Sequence, residues 1–133
     1  MSVVFVDSVG LLALWNANDQ WHHDAKAAYK KINQIEATVL TTTFVLLECG
    51  NAAARRVFRN DATAIRKKFE EAETLIWPTE TDWQQAWLAY QRGEADSAGI
   101  VDHVSFAVMR RLGISKVFTN DRHFKAAGFE PMF

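Results

Sequence analysis

The sequence predicts an α/β protein with a small, mostly parallel sheet and helices on both of its faces. Short apolar and β-branched runs alternate along the chain with longer segments in which apolar residues recur every three or four positions. No repeat, low-complexity tract or linker interrupts this alternation. Because a helix separates each strand from the next, neighbouring strands are expected to run parallel and to be buried on both faces.

Five segments of the chain are predicted to be strands. Val3–Val6 is apolar and too short for a helix, and residues 37–43 (ATVLTTT) are rich in β-branched side chains. The other three are residues 74–78, which end on a proline, residues 115–120 and residues 129–133. Pro131 in the last segment is typical of an edge strand, because proline has no N–H to donate to a neighbour.

The segments between the strands have helical periodicity. Helices are expected at residues 8–16, 19–33, 44–58, 60–73, 79–93 and 100–112, with a short helix or turn at residues 121–127. Asp19 and Asn60 are suitable N-caps for two of these helices. Thr79 with Asp82 three residues later forms a capping pattern, and Gly113 is a suitable helix stop.

Length and composition indicate one soluble domain that spans residues 1–133. The chain is 49% hydrophobic and 23% charged, which is ordinary for a globular protein and argues against disorder. No apolar run approaches the roughly 20 residues of a membrane span, and no secretion signal is visible. A single cysteine, Cys49, cannot form an internal disulfide, so the cytoplasm is the expected location.

The net charge of −1 does not by itself indicate nucleic acid, but the basic residues are unevenly distributed. Six arginines and lysines lie between Arg55 and Lys68, against one acid, Asp61. Such a stretch is compatible with a phosphate backbone, but taken alone it is more often a pair of solvated helix faces. Trp83 and Trp87 are four residues apart, and we expect them to pack in the core rather than to stack on bases.

Four acids lie at positions that predict a common site. Asp7 follows the first strand and Asp121 the fourth, and the carboxyl ends of parallel strands meet at one edge of a sheet, where ligands bind. Glu48 and Asp102 lie within apolar helical segments, and Asp102 shares a face with Ser105, Phe106 and Met109. Each acid alone is compatible with a helix cap or a solvated side chain.

Converging carboxylates repel one another, so they favour a bound cation. Oxygen ligands suit Mg²⁺, or Mn²⁺ as an alternative, and no Cys/His spacing typical of zinc is present. His103 and His123 neighbour two of the acids, and we expect them to serve as packing or hydrogen-bonding groups.

The whole chain resembles the PIN-domain ribonucleases, and in its compactness the VapC-type toxins of bacterial toxin–antitoxin pairs. The likeness rests on VFVDSVGLLAL, LLECGNAAARR, IVDHVSFAVMRRLGI and VFTNDRHFKAAGF, of which the last two in tandem are the most specific. The family's acidic quartet corresponds to Asp7, Glu48, Asp102 and Asp121. By the same resemblance, Ser8 and Thr119 match polar residues that orient the carboxylates.

The resemblance implies a PIN-like α/β/α sandwich and a Mg²⁺-dependent endoribonuclease. All four acids are expected to be catalytic and to hold the metal. RNA is then the substrate, a cognate antitoxin protein the partner, and a homodimer the usual assembly. The candidates for RNA-backbone contacts are Arg55, Arg56, Arg59, Arg110 and Arg111.

Two alternatives remain open from the sequence alone. One is a non-catalytic module that binds RNA or protein through the same fold. The other is an Asp-dependent phosphotransfer domain, in which Asp7 at the end of a parallel strand would accept a phosphoryl group. The haloacid-dehalogenase type of phosphotransfer domain expects a second aspartate at position 9, where the chain has Val9.

Overall fold

The computed structural model describes residues 2–133 and contains a five-stranded sheet. The strands are β1 (Val3–Val6), β2 (Thr38–Thr42), β3 (Leu75–Ile76), β4 (Lys116–Phe118) and β5 (Glu130–Pro131). Their order across the sheet is β3-β2-β1-β4-β5, and each neighbouring pair is parallel. The predicted α/β class is confirmed, and β5 with its proline lies at the edge of the sheet as expected.

Eight helical segments accompany these strands. They are α1 (Ser8–Trp15), α2 (His22–Gln34), α3 (Thr43–Ala53), α4 (Arg59–Glu71), α5 (Glu80–Gln91), α6 (Glu94–Ser97), α7 (Ile100–Leu112) and α8 (Arg122–Ala126). Among residues 2–133, none of these helices has both the length and the apolar character needed to cross a membrane.

The central strand β1 is covered on both faces. Val4, Phe5 and Val6 are all almost completely buried. Successive side chains of a strand point to opposite faces, so burial of all three requires packing above and below the sheet. The largest fully buried side chains among residues 2–133 are Phe5, Phe69, Phe106, Phe118 and Phe124.

Helix α1 approaches the end of β4 closely because Gly10 has no side chain. A Cβ atom at this position would lie 2.2 Å from the carbonyl oxygen of Phe118, far inside van der Waals contact. The close approach holds the start of α1, and with it Asp7 and Ser8, against the carboxyl end of β4.

Several predicted helix ends are confirmed in detail. Thr79 and Asp82 form a reciprocal capping box, in which the Thr79 side chain accepts from the Asp82 backbone and the Asp82 side chain accepts from the Thr79 backbone. Gly113 ends α7 with a left-handed φ of 70°.

Other boundaries differ from the predictions because polar side chains bond locally. Asp19 does not cap α2: its carboxylate accepts from the N–H of Trp21 in a turn, and the helix begins at His22. The Thr42 hydroxyl accepts from the N–H of Val45, so β2 ends there and α3 begins at Thr43.

The region between α3 and α4 also differs. Helix α3 ends at Ala53, because the following N–H groups bond to carbonyls three residues back in tighter turns. Helix α4 begins at Arg59 with Phe58 at the cap position, so Asn60 is inside the helix rather than capping it. The predicted loop before α7 contains α6, a left-handed turn in which Ala95, Asp96 and Ser97 have positive φ.

The expectation that Trp83 and Trp87 pack in the core is wrong. The two side chains are 47% and 42% exposed, and their rings contact each other edge to face at 5.8 Å between centroids. Trp83 also contacts Phe44 of α3, and Trp87 contacts Tyr90. We call these four side chains the aromatic row: Phe44, Trp83, Trp87 and Tyr90.

Candidate active site

The pairing of β1 with β4 fixes the first part of the site. Val6 is opposite Phe118, so the next residues, Asp7 and Thr119, leave the sheet side by side. The Thr119 hydroxyl donates to Oδ2 of Asp7 at 2.9 Å and accepts from the backbone N–H of Asp121 at 3.1 Å. Thr119 therefore ties the acid after β1 to the acid after β4.

Asp7 is a buried carboxylate with an incomplete set of partners. It is the N-cap of α1, where Oδ2 accepts from the N–H of Val9, and it is 1% exposed. The other oxygen, Oδ1, is buried and has no hydrogen-bond partner among residues 2–133. Burial, followed by the charge of Asp102, raises the pKa of Asp7 from 3.8 to about 8, although the Thr119 hydrogen bond acts in the opposite direction.

Glu48 reaches the site from α3. The Ser8 hydroxyl donates to its Oε1 at 2.9 Å across the contact between α1 and α3. Burial raises the pKa of Glu48, and the Asp121 charge adds to this effect, while the Ser8 hydrogen bond opposes it. This hydrogen bond is the contact through which Ser8 would orient the Glu48 carboxylate, the role predicted for Ser8 from the resemblance.

Asp102 lies in the first turn of α7 and is partly buried. The positions expected to share its face, Ser105, Phe106 and Met109, are fully buried, so α7 is held rigidly against the core. Burial and then the charges of Asp121 and Glu48 raise the pKa of Asp102 to about 7. The nearby His123 acts in the opposite direction.

Asp121 is the N-cap of α8 and is held by the residue two positions later. Its Oδ1 accepts from the N–H of His123 at 2.9 Å and lies 2.8 Å from Nδ1 of the same histidine. One ligand atom from each of Asp102, Asp121 and His123 lies within 4.8 Å of the others, the only such group of three among residues 2–133. The sequence predicted His123 as a hydrogen-bonding group, and its closeness to Asp102 depends on the tertiary fold.

The donor set fits a hard divalent cation. Four carboxylates interact electrostatically across the site, and three of them have raised pKa values. The unpartnered Oδ1 of Asp7 is a buried acceptor that a cation would satisfy. Oxygen donors dominate, which suits Mg²⁺ and Mn²⁺, and the single nearby imidazole is better suited to Mn²⁺ than to Mg²⁺.

The predicted basic residues fall into two groups. Arg55, Arg56 and Arg59 are exposed around the turn between α3 and α4. Arg110 donates to the carbonyl of Ala127. Arg111 makes a bidentate pair with the buried Asp82, at 3.0 and 2.8 Å, which joins α7 to α5.

Comparison with known proteins identifies the class. The family model of the PIN domain matches residues 4–130, and the chain belongs to the PIN-domain family. It is similar to the 23S rRNA-specific endonuclease VapC20 from two strains of Mycobacterium tuberculosis, CDC 1551 / Oshkosh and ATCC 25618 / H37Rv. Each is 35% identical over 133 residues, which cover 96% of this chain and 95% of the relative.

A solved structure agrees with this assignment. The crystal structure of Mycobacterium tuberculosis VapC20, described as a sarcin–ricin loop cleaving toxin, matches with a TM-score of 0.80 and 32% sequence identity over 97% of both chains. The predicted family and its α/β architecture are therefore confirmed. The predicted enzyme class, a nuclease, agrees with these relatives.

Proposed function

We propose that this protein is a metal-dependent endoribonuclease that hydrolyses RNA phosphodiester bonds. The observation that carries the proposal is that Glu48, Asp102 and Asp121 all interact electrostatically with Asp7, which is buried and has one unpartnered oxygen. A buried carboxylate oxygen that is left without a partner costs free energy, so its retention in the fold indicates a functional requirement. Similarity to an rRNA endonuclease over almost the whole chain supports the same conclusion.

We assign Asp7, Glu48, Asp102 and Asp121 as the catalytic acids and metal ligands, with Mg²⁺ the expected ion and Mn²⁺ an alternative. A bound divalent ion supplies Lewis-acid stabilisation of the charge that develops on the scissile phosphate. The chain's own residues hold the ligands in position. Thr119 and Ser8 fix Asp7 and Glu48 by hydrogen bonds, and His123 fixes Asp121.

The substrate proposal follows the relatives. VapC20 is described as specific for 23S rRNA and as cleaving the sarcin–ricin loop. We therefore propose ribosomal RNA as the first substrate to test for this chain. A cytoplasmic location follows from that substrate.

We also propose that the protein is a toxin restrained by a cognate antitoxin, and that it forms a homodimer. The aromatic row supports a protein contact, because exposed contiguous apolar surface is typical of interaction sites. Leu47 on α3 and Trp77 after β3 are also exposed, at 67% and 76%.

The described residues share a hydrophobic core that draws on most of the helices and strands, which supports one PIN-like domain over residues 1–133.

Among the predicted RNA contacts, Arg55, Arg56, Arg59 and Arg110 keep exposed charge available for a phosphate backbone. Arg111 already satisfies the buried Asp82 carboxylate, so we assign it a structural role instead of the predicted contact with RNA.

The test is cleavage of purified 23S rRNA by the partner-free protein in Mg²⁺, in Mn²⁺ and in EDTA. Asp102→Asn removes one acid of the cluster, and Asp24→Asn removes an exposed acid of α2 as a matched control. We expect discrete fragments with either metal from the parent and the control, and none from Asp102→Asn or in EDTA. Cleavage that survives EDTA or Asp102→Asn would contradict the proposal.

The phosphotransfer alternative is tested in parallel. Incubation with acetyl phosphate is expected to leave Asp7 unmodified, as measured by intact mass. A stable acyl phosphate on Asp7 would instead favour a phosphotransfer domain.

A further inference from the structure

A cleft of about 500 Å³ opens beside α8 at the edge of the sheet. Its lining includes Asn120, Arg122, Lys125, Phe129, Glu130 and Phe133. The lining therefore combines two cations, an amide and two aromatic rings, which is the chemistry that recognises a nucleotide.

Two residues that line the cleft directly precede and follow Asp121, one of the four acids of the candidate active site. Asn120 and Arg122 are the neighbours of Asp121, so their Cα atoms lie about 3.8 Å from its own. Arg122 and Lys125 are three residues apart on α8, on one face of the helix. A phosphodiester chain that passed from Asp121 into the cleft would meet both cations.

The cations of the cleft are available for a ligand. Arg122 makes one long ion pair, 3.7 Å to Asp96, in which both side chains are mostly exposed, and such pairs contribute little. Lys125 has no ion pair within residues 2–133. Glu130 is the single acid in the lining. Arg110 is outside the lining and lies over the Phe129 ring, with 5.2 Å between Cζ and the ring centroid.

Each of the two aromatic rings in the lining packs against a buried phenylalanine. Phe129 packs on Phe106 at 5.5 Å and Phe133 packs on Phe118 at 5.4 Å between ring centroids. Phe129 and Phe133 are both only partly buried. Because Arg110 already lies over the Phe129 ring, Phe133 is the ring on which an unpaired base can stack.

We infer that this cleft binds a nucleotide of single-stranded or looped RNA next to the bond that is cut, with Arg122 and Lys125 on its phosphates and Phe133 against its base. The inference rests on the proposed ribonuclease function and assigns it a substrate subsite. It places the main RNA contact on α8 rather than on the arginines between α3 and α4.

The test measures RNA binding separately from cleavage. Fluorescence anisotropy follows a labelled single-stranded RNA oligonucleotide in EDTA, and again in Ca²⁺, over a range of salt concentrations. The double variant Arg122→Gln/Lys125→Gln removes both cleft cations. Lys26→Gln/Lys30→Gln removes two exposed charges of α2 as the matched control, and Arg55→Gln/Arg56→Gln tests the rival surface.

We expect the cleft variant to bind RNA at least tenfold more weakly than the parent. Each lost contact with a single-stranded phosphate lowers the slope of log affinity against log salt by about 0.7, so the slope should fall by about 1.4. The α2 control should keep the parental slope. Phe133→Leu should weaken binding of the oligonucleotide about tenfold and leave binding of an abasic oligonucleotide of equal charge unchanged.

The inference is overturned if the cleft variant keeps the parental slope, if the α2 control loses as much, or if the parent does not bind RNA. A loss confined to Arg55→Gln/Arg56→Gln would move the subsite to the rival surface. The nuclease proposal fails independently: RNA binding through the cleft without cleavage in any metal would contradict catalysis and leave the cleft assignment intact.

Discussion

Replacing Asp7 with asparagine is expected to stabilise the metal-free protein, and increasingly so at higher pH. The folded protein raises the pKa of this carboxyl from 3.8 to about 8, chiefly by burial. Between these two values the folded state keeps a proton that the unfolded chain releases. The free energy of unfolding of the parent should therefore fall as pH rises from about 4 to about 8.

The magnitude follows from the size of the pKa change. At about 1.4 kcal/mol for each pKa unit, the rise to about 8 corresponds to about 5 to 6 kcal/mol of lost stability above pH 8 and to about 1.5 kcal/mol at pH 5. Asparagine avoids this cost, but its amide would occupy the position of Oδ1, which has no partner, at a cost of about 1 to 3 kcal/mol. The free energy of unfolding of Asp7→Asn should thus exceed that of the parent by about 3 kcal/mol at pH 8 and by almost nothing at pH 5.

The assay is urea denaturation in EDTA from pH 5 to pH 8, followed by the fluorescence of the five tryptophans. Glu71→Gln, which neutralises an exposed acid of α4, is the control and should leave the pH dependence of the parent unchanged. A variant that is destabilised equally at pH 5 and pH 8, or a parent whose stability does not fall over this range, would refute the reasoning.

Three further substitutions test the scaffold of the site. Thr119→Val removes the hydroxyl that joins Asp7 to Asp121, and we expect Mn²⁺ affinity to fall 10- to 100-fold by calorimetric titration, with Thr63→Val unchanged. Gly10→Ala should destabilise the folded protein by about 3 kcal/mol or prevent folding, because the new Cβ would clash with the Phe118 carbonyl oxygen. Gly50 on α3 has open space around it, so Gly50→Ala should stabilise the protein by about 0.5 to 1 kcal/mol in the same urea assay. Arg111→Gln leaves the buried Asp82 carboxylate without its cation, so we expect the free energy of unfolding to fall by about 1 to 3 kcal/mol in the urea assay, with RNA affinity unchanged. A variant that is as stable as the parent but binds RNA more weakly would show that Arg111 contacts RNA and does not stabilise the fold.

Part of the site could be predicted from the sequence because it depends on local pattern. Asp7 directly follows an unbroken apolar strand, and Asp121 follows the fourth strand, so the parallel-sheet rule brings both to one edge. The spacing of Asp102 with Ser105, Phe106 and Met109 similarly predicts a buried helix face, and all three positions are buried. The PIN-family resemblance followed from these same segments.

The errors at helix ends have a common physical cause. Asp19, Thr42 and Asn60 are all residue types that bond to nearby backbone groups, and the sequence does not specify which backbone group each one bonds to. The two tryptophans of α5 were misassigned for a different reason. Apolar spacing of four predicts one helix face but not whether another element covers it.

The sequence by itself determined the order of strands and helices, the family, and the four acids that the resemblance selects. Those features depend on local periodicity and on residue types a few positions apart. Only the tertiary structure decided that Thr119 bonds both Asp7 and Asp121, that Arg111 is held by Asp82, and that Oδ1 of Asp7 has no partner. These are contacts between distant parts of the chain, and they arise from strand register and helix packing, which residue spacing along the chain does not encode.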